Sequence, residues 1–295
     1  MNGSRKLKLG LQHLGSTWDF LWHRIPAGRQ VTVRAGDLFI VSYPRSGNTW
    51  TRFLIGNLIY PDEPITFANV ESRIPSLYLF SDRQLRHLPR IFKSHECFDP
   101  RYKNVIYITR DPRDVAVSAY HYSIKVNILP EDFPVEDFVP LFMSGEFGSG
   151  LLSDPRWGSW YDNVQGWLAM RHNRRFLLLR YEDMLQQPAR ELLKIAEFLN
   201  ISGTPERLNR AIDLSSADRM RRLEKAEAKE WKLTKNTRQD KRFVREARSG
   251  TWKSELPPKS VQQIESEWGD LMQSLGYELS GSKGTPAEKP ALAGS

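Results

Sequence analysis

The chain has 295 residues, and its 43 lysines and arginines against 35 acidic residues give a net charge of +8. Hydrophobic content of 40% is typical of a folded globular protein and excludes a disordered one. The single cysteine, Cys97, excludes an intramolecular disulfide and makes a cysteine-rich zinc site unexpected. No apolar run reaches the ~18 residues that span a membrane, so we expect a cytoplasmic protein without integral membrane association.

The positive charge favours an anionic partner, which leaves nucleotides, sulfated or phosphorylated compounds, nucleic acid and acidic membranes open. Residues 1–36 form an N-terminal segment in which Arg5–Trp22 has an amphipathic pattern, and we expect it to dock on the protein rather than on a membrane. Residues 37–279 make one domain without internal repeats. The tail 280–295, rich in Gly, Ser, Pro and Ala, is predicted to be disordered.

Short apolar runs bounded by charges recur along the domain and alternate with helical patterns. The helices are predicted near 48–60, 112–124, 157–172 and 189–199, and 204–275 is mostly helical except for a basic loop near 232–254. Runs that are apolar on both faces are typical of strands buried in a parallel sheet. The pattern predicts an α/β fold with three layers, a central parallel sheet flanked by helices. The predicted strands are Leu38–Ser42, Ile91–Lys93, Val105–Thr109 and Phe176–Leu179.

The turn after the first strand, Tyr43 to Trp50, is a candidate anion site. A strand, a tight turn and a helix start meet there, so backbone N–H groups and the positive end of the helix dipole converge. Arg45 adds a fixed charge, and Ser46, Asn48 and Thr49 add side-chain donors. The turn lacks the Gly-x-x-x-x-Gly-Lys-Ser/Thr string of triphosphate-binding loops, so a different anion is expected.

Two more groups of polar residues follow later strands. On the second strand, Lys93 and His95 are two positions apart, so their side chains project from one face. After the third, Asp111 is a predicted helix N-cap, Pro112 stands at the first helical position, and Asp114 occupies the place of a capping-box acid. Arg110 and Ser118 would then face one crevice as a second anion site. From the residues alone, His95 is either a structural histidine or a general base.

These segments together resemble the soluble sulfotransferases. The octapeptide at 43–50 is similar to that family's 5′-phosphosulfate loop, residues 107–118 to its 3′-phosphate segment, and Lys93-Ser94-His95 to its Lys-Thr-His catalytic tripeptide. Further similarities lie at 158–161, at 181–184 and, weakened, at 245–253. They occur in family order over roughly 37–275. The chain resembles a divergent or bacterial-type member more than the typical animal ones.

The resemblance implies a P-loop nucleotide-hydrolase-like fold and sulfuryl transfer by in-line displacement. The donor would be 3′-phosphoadenosine-5′-phosphosulfate (PAPS), the acceptor a hydroxyl or amine of a small molecule, and no metal is expected. It implies that His95 is the general base and that Lys93 and Arg45 act at the bridging oxygen and 5′-phosphate. The residues that it assigns to PAPS are Arg45, Ser46, Gly47, Asn48, Thr49, Trp50, Arg110, Ser118, Tyr181, Ser215, Arg245 and Ala247.

The chain departs from the family pattern at several of these places. Arg45 replaces a lysine, and arginine can clamp oxygens but cannot give up a proton. Glu246 and Ala247 stand where Lys-Gly is usual; we expect Glu246 to point away from the phosphate and Arg248 to restore the charge. Ala217 replaces an aromatic residue beside the adenine. The dimerisation element of animal members is absent after Trp252, so the oligomeric state stays open.

The acceptor and two other functions are left open by the sequence. Acceptor-pocket candidates are Ile74–Phe80, Tyr120, Tyr122 and the segment 142–152, whereas Cys97 is expected to be buried and inert. One alternative is a nucleotide-phosphate kinase-like enzyme, for which the Walker lysine is missing. The other is a non-catalytic protein that binds nucleotides or nucleic acid; no nucleic-acid-binding motif is present, so we expect no nucleic-acid partner.

Overall fold

A computed structural model describes residues 31–145, 156–227, 229–231 and 234–281. Within these ranges four parallel strands form one sheet in the order β2-β1-β3-β4. Each predicted strand is present and agrees with its predicted bounds to within one residue. The strands are β1 (Leu38–Ser42), β2 (Ile91–Ser94), β3 (Asn104–Thr109) and β4 (Phe176–Arg180).

Helices connect the strands and occupy most of the chain after β4. The predicted helices near 48, 112, 157 and 189 are all found, and the irregular basic loop lies between the third-last and second-last helices. The helices are α1 (Asn48–Ile59), α2 (Val70–Arg73), α3 (Pro112–Lys125), α4 (Val135–Ser144), α5 (Trp160–Leu168), α6 (Tyr181–Gln186), α7 (Pro188–Phe198), α8 (Pro205–Leu214), α9 (Ala217–Glu227), α10 (Trp252–Glu255) and α11 (Pro258–Ser274).

The sheet is buried on both faces, which confirms the three-layer architecture. Successive residues of a strand point to opposite faces, and β1 divides accordingly. Leu38 and Ile40 belong to one apolar cluster, which includes residues of α1, α7 and α8. Phe39 and Val41 belong to another, which includes residues of α3, α4, α5 and α11.

The start of α3 confirms part of the predicted cap and corrects the rest. Asp111 is the N-cap and accepts a hydrogen bond from the Arg113 backbone N–H, with Pro112 in the first turn. The predicted capping-box role of Asp114 is wrong: its carboxylate accepts hydrogen bonds from residues 250–252 instead. A capping box does occur at α5, where Ser159 and Asp162 bond reciprocally. It makes α5 begin at residue 160 rather than at the predicted 157.

The amphipathic segment Arg5–Trp22 and most of the predicted tail lie outside the described residues, so the domain bounds stay predictions. No described helix is both long enough and apolar enough to cross a membrane. The chain visits β2 on one side of β1 and then crosses to β3 on the other. In open α/β sheets, the carboxyl ends of strands beside such a reversal form a crevice. The candidate site lies there.

Candidate functional site

A cavity of about 680 Å³ opens at the carboxyl ends of the strands. Its wall combines the turn after β1, the end of β2, the residue after β3, the start of α6 and the loop 243–248. The volume is within the range of small-molecule sites. Of the residues predicted for catalysis and PAPS binding, all except Ser46 line this cavity, so residues up to 202 positions apart in the chain come together. Their individual roles stay predictions.

The turn after β1 has two residues with left-handed backbone conformations. Arg45 has φ 69° and Gly47, the N-cap of α1, has φ 97°. A Cβ on Gly47 would lie 2.5 Å from Cδ2 of Tyr181, so this position requires glycine. The Asn48 amide donates to the Ile40 carbonyl (3.1 Å) and the Ser42 hydroxyl (3.3 Å). The expectation that Asn48 offers a free side-chain donor is therefore wrong, because its amide ties the turn to β1.

Arg45 lies between two aromatic rings at the cavity wall. Its guanidinium carbon is 4.4 Å from the ring centroid of Tyr122 and 4.8 Å from that of Phe243. Its Nε donates to the Ser118 hydroxyl at 3.2 Å. Desolvation, together with repulsion from nearby Arg110 and Arg245, lowers the pKa of Arg45 to about 10, so the guanidinium remains charged at neutral pH. Arg45 and Ser118, predicted for opposite ends of the donor, are in contact here.

Arg110 is buried at the end of β3 and lies over the Tyr181 ring at 4.3 Å. It donates to the carbonyls of Arg45 (3.2 Å) and Arg248 (3.1 Å), so it joins the first turn to the C-terminal loop. Its Nε is buried without a protein partner. A buried donor that is unpaired is costly and marks a place where a bound anion could supply the missing acceptor.

Trp50 and Tyr181 form the aromatic end of the cavity. Their rings meet edge to face with centroids 5.6 Å apart, and the Trp50 indole donates to the Ser215 carbonyl at 3.0 Å. The Ser215 hydroxyl is itself fully buried and accepts from Asn57 at 3.0 Å. Ser215 thus fixes the indole plane through its backbone. Ala217 also lines the cavity and offers no ring there.

The C-terminal loop places Arg245 and Ala247 at the cavity. The Arg245 guanidinium is 2.8 Å from Glu255, whose other oxygen is 2.5 Å from Nε2 of His121. Burial alone would raise the pKa of Glu255, but the hydrogen bonds from His121 and Arg245 lower it to about 2. Ala247 has φ 53°, a conformation that favours glycine. Glu246 lies at the cavity wall, and its carboxylate is 3.3 Å from Nε of Arg248.

His95 is buried with its tautomer set by the backbone. Its Nδ1 lies 2.7 Å from the Ser42 carbonyl, which can only accept, so Nδ1 carries the proton and Nε2 is left as an acceptor. Burial, and then the neighbouring charge of Lys93, lowers its pKa well below the ordinary 6.5. The imidazole is therefore neutral near pH 7. Lys93 lines the same wall, and burial together with Arg52 lowers its pKa to about 7.

The sequence did not single out two aromatic residues that lie beside His95, Tyr78 and Trp157. Tyr78 belongs to the predicted segment Ile74–Phe80, and its hydroxyl accepts from the His95 backbone N–H at 2.6 Å. Trp157 was not predicted; its ring is 5.5 Å from that of His95, and its buried indole N–H has no protein partner. Its only local signal is its position before Gly158-Ser159-Trp160.

The other acceptor candidates divide between the cavity and the core. Tyr122 lines the cavity, whereas Tyr120 lines a smaller one and donates to the Phe133 carbonyl, so its prediction is wrong. Phe142 packs in the core against Tyr43, and 146–152 lie outside the described residues. Cys97 is partly exposed rather than buried as expected, and the burial that it has raises the pKa of its thiol to about 11.

Comparisons with known proteins match most of the chain. A family model described as "Sulfotransferase domain" matches residues 35–276. Sulfotransferase 1A1 of Bos taurus is 30% identical over 255 residues, covering 80% of this chain and 83% of that protein. Sulfotransferase 1A1 of Canis lupus familiaris is 29% identical over 262 residues, covering 82% of this chain and 85% of that protein.

Solved structures share the fold. Mouse sulfotransferase SULT7A1, complexed with PAP, superposes with a TM-score of 0.64 at 25% identity, covering 81% of this chain and 84% of that one. Retinol dehydratase in a complex with retinol and PAP superposes with a TM-score of 0.67 at 20% identity, covering 81% and 82%. The second likeness concerns the fold alone.

Proposed function

The chain belongs to the sulfotransferase family and is a sulfotransferase; from this premise we propose that the cavity binds PAPS and that His95 is the general base. The acceptor is a small molecule that carries a hydroxyl or an amine. The observation that carries the proposal is the hydrogen bond between Nδ1 of His95 and the Ser42 carbonyl, because it leaves Nε2 neutral and able to accept a proton at the cavity.

The residues present fit PAPS as a donor. Four arginines, Arg45, Arg110, Arg245 and Arg248, lie at the cavity wall, and the buried Nε of Arg110 lacks a protein partner. The first turn aims the N-terminus of a 12-residue helix at the same space. Trp50 and Tyr181 supply aromatic surface for a base. The PAP in the mouse neighbour, which is the product left by PAPS after transfer, supports the same assignment.

The chemistry of each side chain follows from what in-line sulfuryl transfer demands. PAPS supplies the sulfuryl group, and negative charge grows on the leaving 5′-phosphate as the bond breaks. The cation of Lys93 and the N–H groups of the turn stabilise that charge. His95 takes the proton of the acceptor hydroxyl at Nε2. Arg45, held between two rings and bonded to Ser118, clamps oxygens and cannot act as an acid.

The kinase-like alternative and the non-catalytic binder are disfavoured by the family match and by the Lys93–His95 pair. Each of these two alternatives predicts a different result in the test. A kinase-like enzyme would transfer phosphate from ATP, and a pure binder would retain PAP without turnover.

The test measures transfer of labelled sulfate from PAPS across a panel of phenols, alcohols and amines, and PAP affinity by calorimetry. We expect turnover for the wild type and a loss of about 10²–10⁴-fold for His95→Gln, with PAP affinity changed less than a few-fold. His87→Gln is the matched control, because His87 is exposed and outside the cavity. Undiminished turnover by His95→Gln would refute the base assignment, and failure of the wild type to bind PAP would refute the donor.

A further inference from the structure

A buried ion pair behind the cavity is not used by the proposed function. Arg52 on α1 is fully buried, and its NH2 group lies 3.0 Å from Oε1 of Glu71. The same NH2 group donates to the carbonyls of Val70 (3.2 Å) and Ile74. Nε and the other terminal nitrogen of Arg52 are buried without a protein partner. A buried arginine with unpaired donors is an expensive arrangement, which suggests that it serves more than packing.

Glu71 continues the connection beyond α2. Its second oxygen accepts from the Ser76 backbone N–H at 2.9 Å, and its first lies 3.5 Å from the Trp231 indole nitrogen. Arg52 therefore contacts the segment 70–76 at the Val70 and Ile74 carbonyls and at the Glu71 carboxylate. Within the segment, Glu71 in turn holds the Ser76 N–H. After residue 73 the segment has only a single parallel bridge to β2, at Ser76, so these side-chain contacts add to its few backbone hydrogen bonds.

The segment that they hold lies against β2 at the catalytic residues. The Lys93 N–H donates to the Pro75 carbonyl at 2.9 Å, and the Leu77 N–H donates to the Lys93 carbonyl at 3.2 Å. One residue further, the Tyr78 hydroxyl accepts from the His95 N–H. Ser76 and Tyr78 both line the cavity. The position of Lys93, and the wall beside His95, thus depend on how the segment 70–78 is anchored.

We propose that Arg52 and Glu71 are positioning residues for the transfer reaction: the pair fixes the segment 70–78 on β2 and so sets the place of Lys93 and the acceptor wall beside His95. This inference rests on the proposed function for its kinetic consequences. The contacts that carry it are independent of that function.

The pair also sets the electrostatic surroundings of Lys93, with opposite signs from its two members. The charged and titratable groups around Lys93 are Arg52 on α1, Glu71 on α2, Arg45 in the first turn and His95 directly after β2. Burial lowers the pKa of Lys93 most; Arg52 lowers it further, Glu71 raises it and Arg45 lowers it. Arg52 also lowers the pKa of His95.

The experiment compares the pH dependence of kcat for the wild type, Arg52→Gln and Glu71→Gln. The proposed function uses Lys93 in its protonated form, and the pKa of Lys93 is about 7, so kcat should fall as pH rises above about 7. We expect this limb to move up by on the order of one pH unit in Arg52→Gln and down by a similar amount in Glu71→Gln. KM for the acceptor should rise about tenfold in both, while PAP affinity stays within a few-fold of the wild type.

Arg190→Gln is the matched control, because Arg190 is a surface arginine paired with Glu191 and does not line the cavity, and it should leave the limb above pH 7 in place. Two Gln variants that move the limb in the same direction, or not at all, would overturn the proposal. If a Gln variant does not fold, Arg52→Lys serves instead, because lysine keeps the positive charge but lacks the several donors of the guanidinium. It should leave the fall in kcat above pH 7 unchanged and raise the KM for the acceptor. An unchanged KM would contradict the positioning role of Arg52 and Glu71.

Amide hydrogen exchange separates failure of this inference from failure of the proposed function. In Glu71→Gln the N–H groups of Ser76 and Leu77 should exchange at least about tenfold faster than in the wild type, with no substrate present. Unchanged exchange would overturn the positioning role even if the enzyme is active. If exchange is faster in Glu71→Gln but the wild type transfers no sulfuryl group, the result would support the role of Glu71 in holding the segment 70–78 and refute only the proposed function.

Discussion

Asp114 gives the sharpest test of how the C-terminal loop is held against α3. The side chain is 1% exposed, and it accepts three hydrogen bonds from one short segment. One oxygen accepts from the Gly250 N–H at 2.6 Å; the other accepts from the Thr251 hydroxyl at 2.9 Å and the Trp252 N–H at 3.1 Å. Replacement by alanine would leave three donors without an acceptor.

A buried donor left unpaired costs about 1–3 kcal/mol. Gly250 and Trp252 are only partly buried, so water can relieve part of that cost. We expect Asp114→Ala to lower the free energy of unfolding by about 3 kcal/mol. Asp114→Asn should cost less, about 1–2 kcal/mol, because its amide oxygen still serves Thr251 and Trp252 while its NH2 group faces the Gly250 N–H.

Urea unfolding of both variants measures these differences, and a PAP titration shows whether the loop 243–248 moves with the anchor. Asp270→Ala on α11 is the control, because Asp270 is exposed and should change stability by less than about 0.5 kcal/mol. A cost below about 1 kcal/mol for Asp114→Ala, or equal costs for the two variants, would refute the hydrogen-bond reasoning.

Three further predictions concern the turn, the loop and an ion pair. Gly47→Ala should weaken PAP binding at least tenfold in calorimetry, because its Cβ would meet Tyr181 at 2.5 Å; Gly36→Ala, with nothing within 4 Å, is the control, and equal binding by both would contradict the clash. Ala247→Gly should keep PAP affinity while Ala247→Val lowers it, since a β-branched residue tolerates φ 53° poorly; matching affinities would show that the backbone there is not strained. The pKa of Glu255 is lowered from 4.5 to about 2, so its contribution to stability is present above pH 4.5 and is lost as pH falls toward 2. In urea unfolding, the difference in free energy of unfolding between wild type and Glu255→Gln should therefore narrow between pH 4.5 and pH 2. A difference independent of pH would be evidence against the stabilisation of the Glu255 carboxylate by His121 and Arg245.

The strands and the placement of the site could be predicted because their signals are local. A strand buried on both faces must be apolar throughout, and runs such as Leu38–Ser42 are short enough to exclude a buried helix. Parallel strands place their carboxyl ends at one edge, so polar residues that follow different strands converge there. That is why Arg45, His95 and Arg110 were brought together correctly from the sequence.

The contacts that hold the site were not predictable in the same way. Asp114 has the spacing of a capping-box acid, yet its partners lie 136–138 residues later in the chain. Arg52 sits in a helix where an arginine ordinarily reaches solvent, and only the packing of α2 against α1 makes it a buried partner of Glu71. The helix start at Ser159 does carry a local signal, the capping-box spacing Ser159-x-x-Asp162.

Carboxylates on helices hold the segments around the cavity by accepting from backbone N–H groups. Each accepts from N–H groups that have no backbone partner, and a charged acceptor makes a stronger bond than a neutral one. The carboxylates and their backbone partners are Asp114 with Gly250 and Trp252, Glu224 with Phe243 and Val244, Glu71 with Ser76, and Glu182 with Asp111.

This use of acidic residues matters for the charge of the site. A carboxylate that accepts from a loop backbone is turned toward the protein and leaves Arg45 and Arg110 without an ion pair, although the charge of Glu224 acts to raise the pKa of Arg45. Arg45 and Arg110 make their polar contacts to a hydroxyl and to carbonyls rather than to carboxylates, and their charge remains available to an anionic ligand. Arg245 and Arg248, in contrast, are paired with Glu255 and Glu246, so among the arginines at the cavity wall Arg45 and Arg110 supply the charge that no carboxylate offsets by direct pairing.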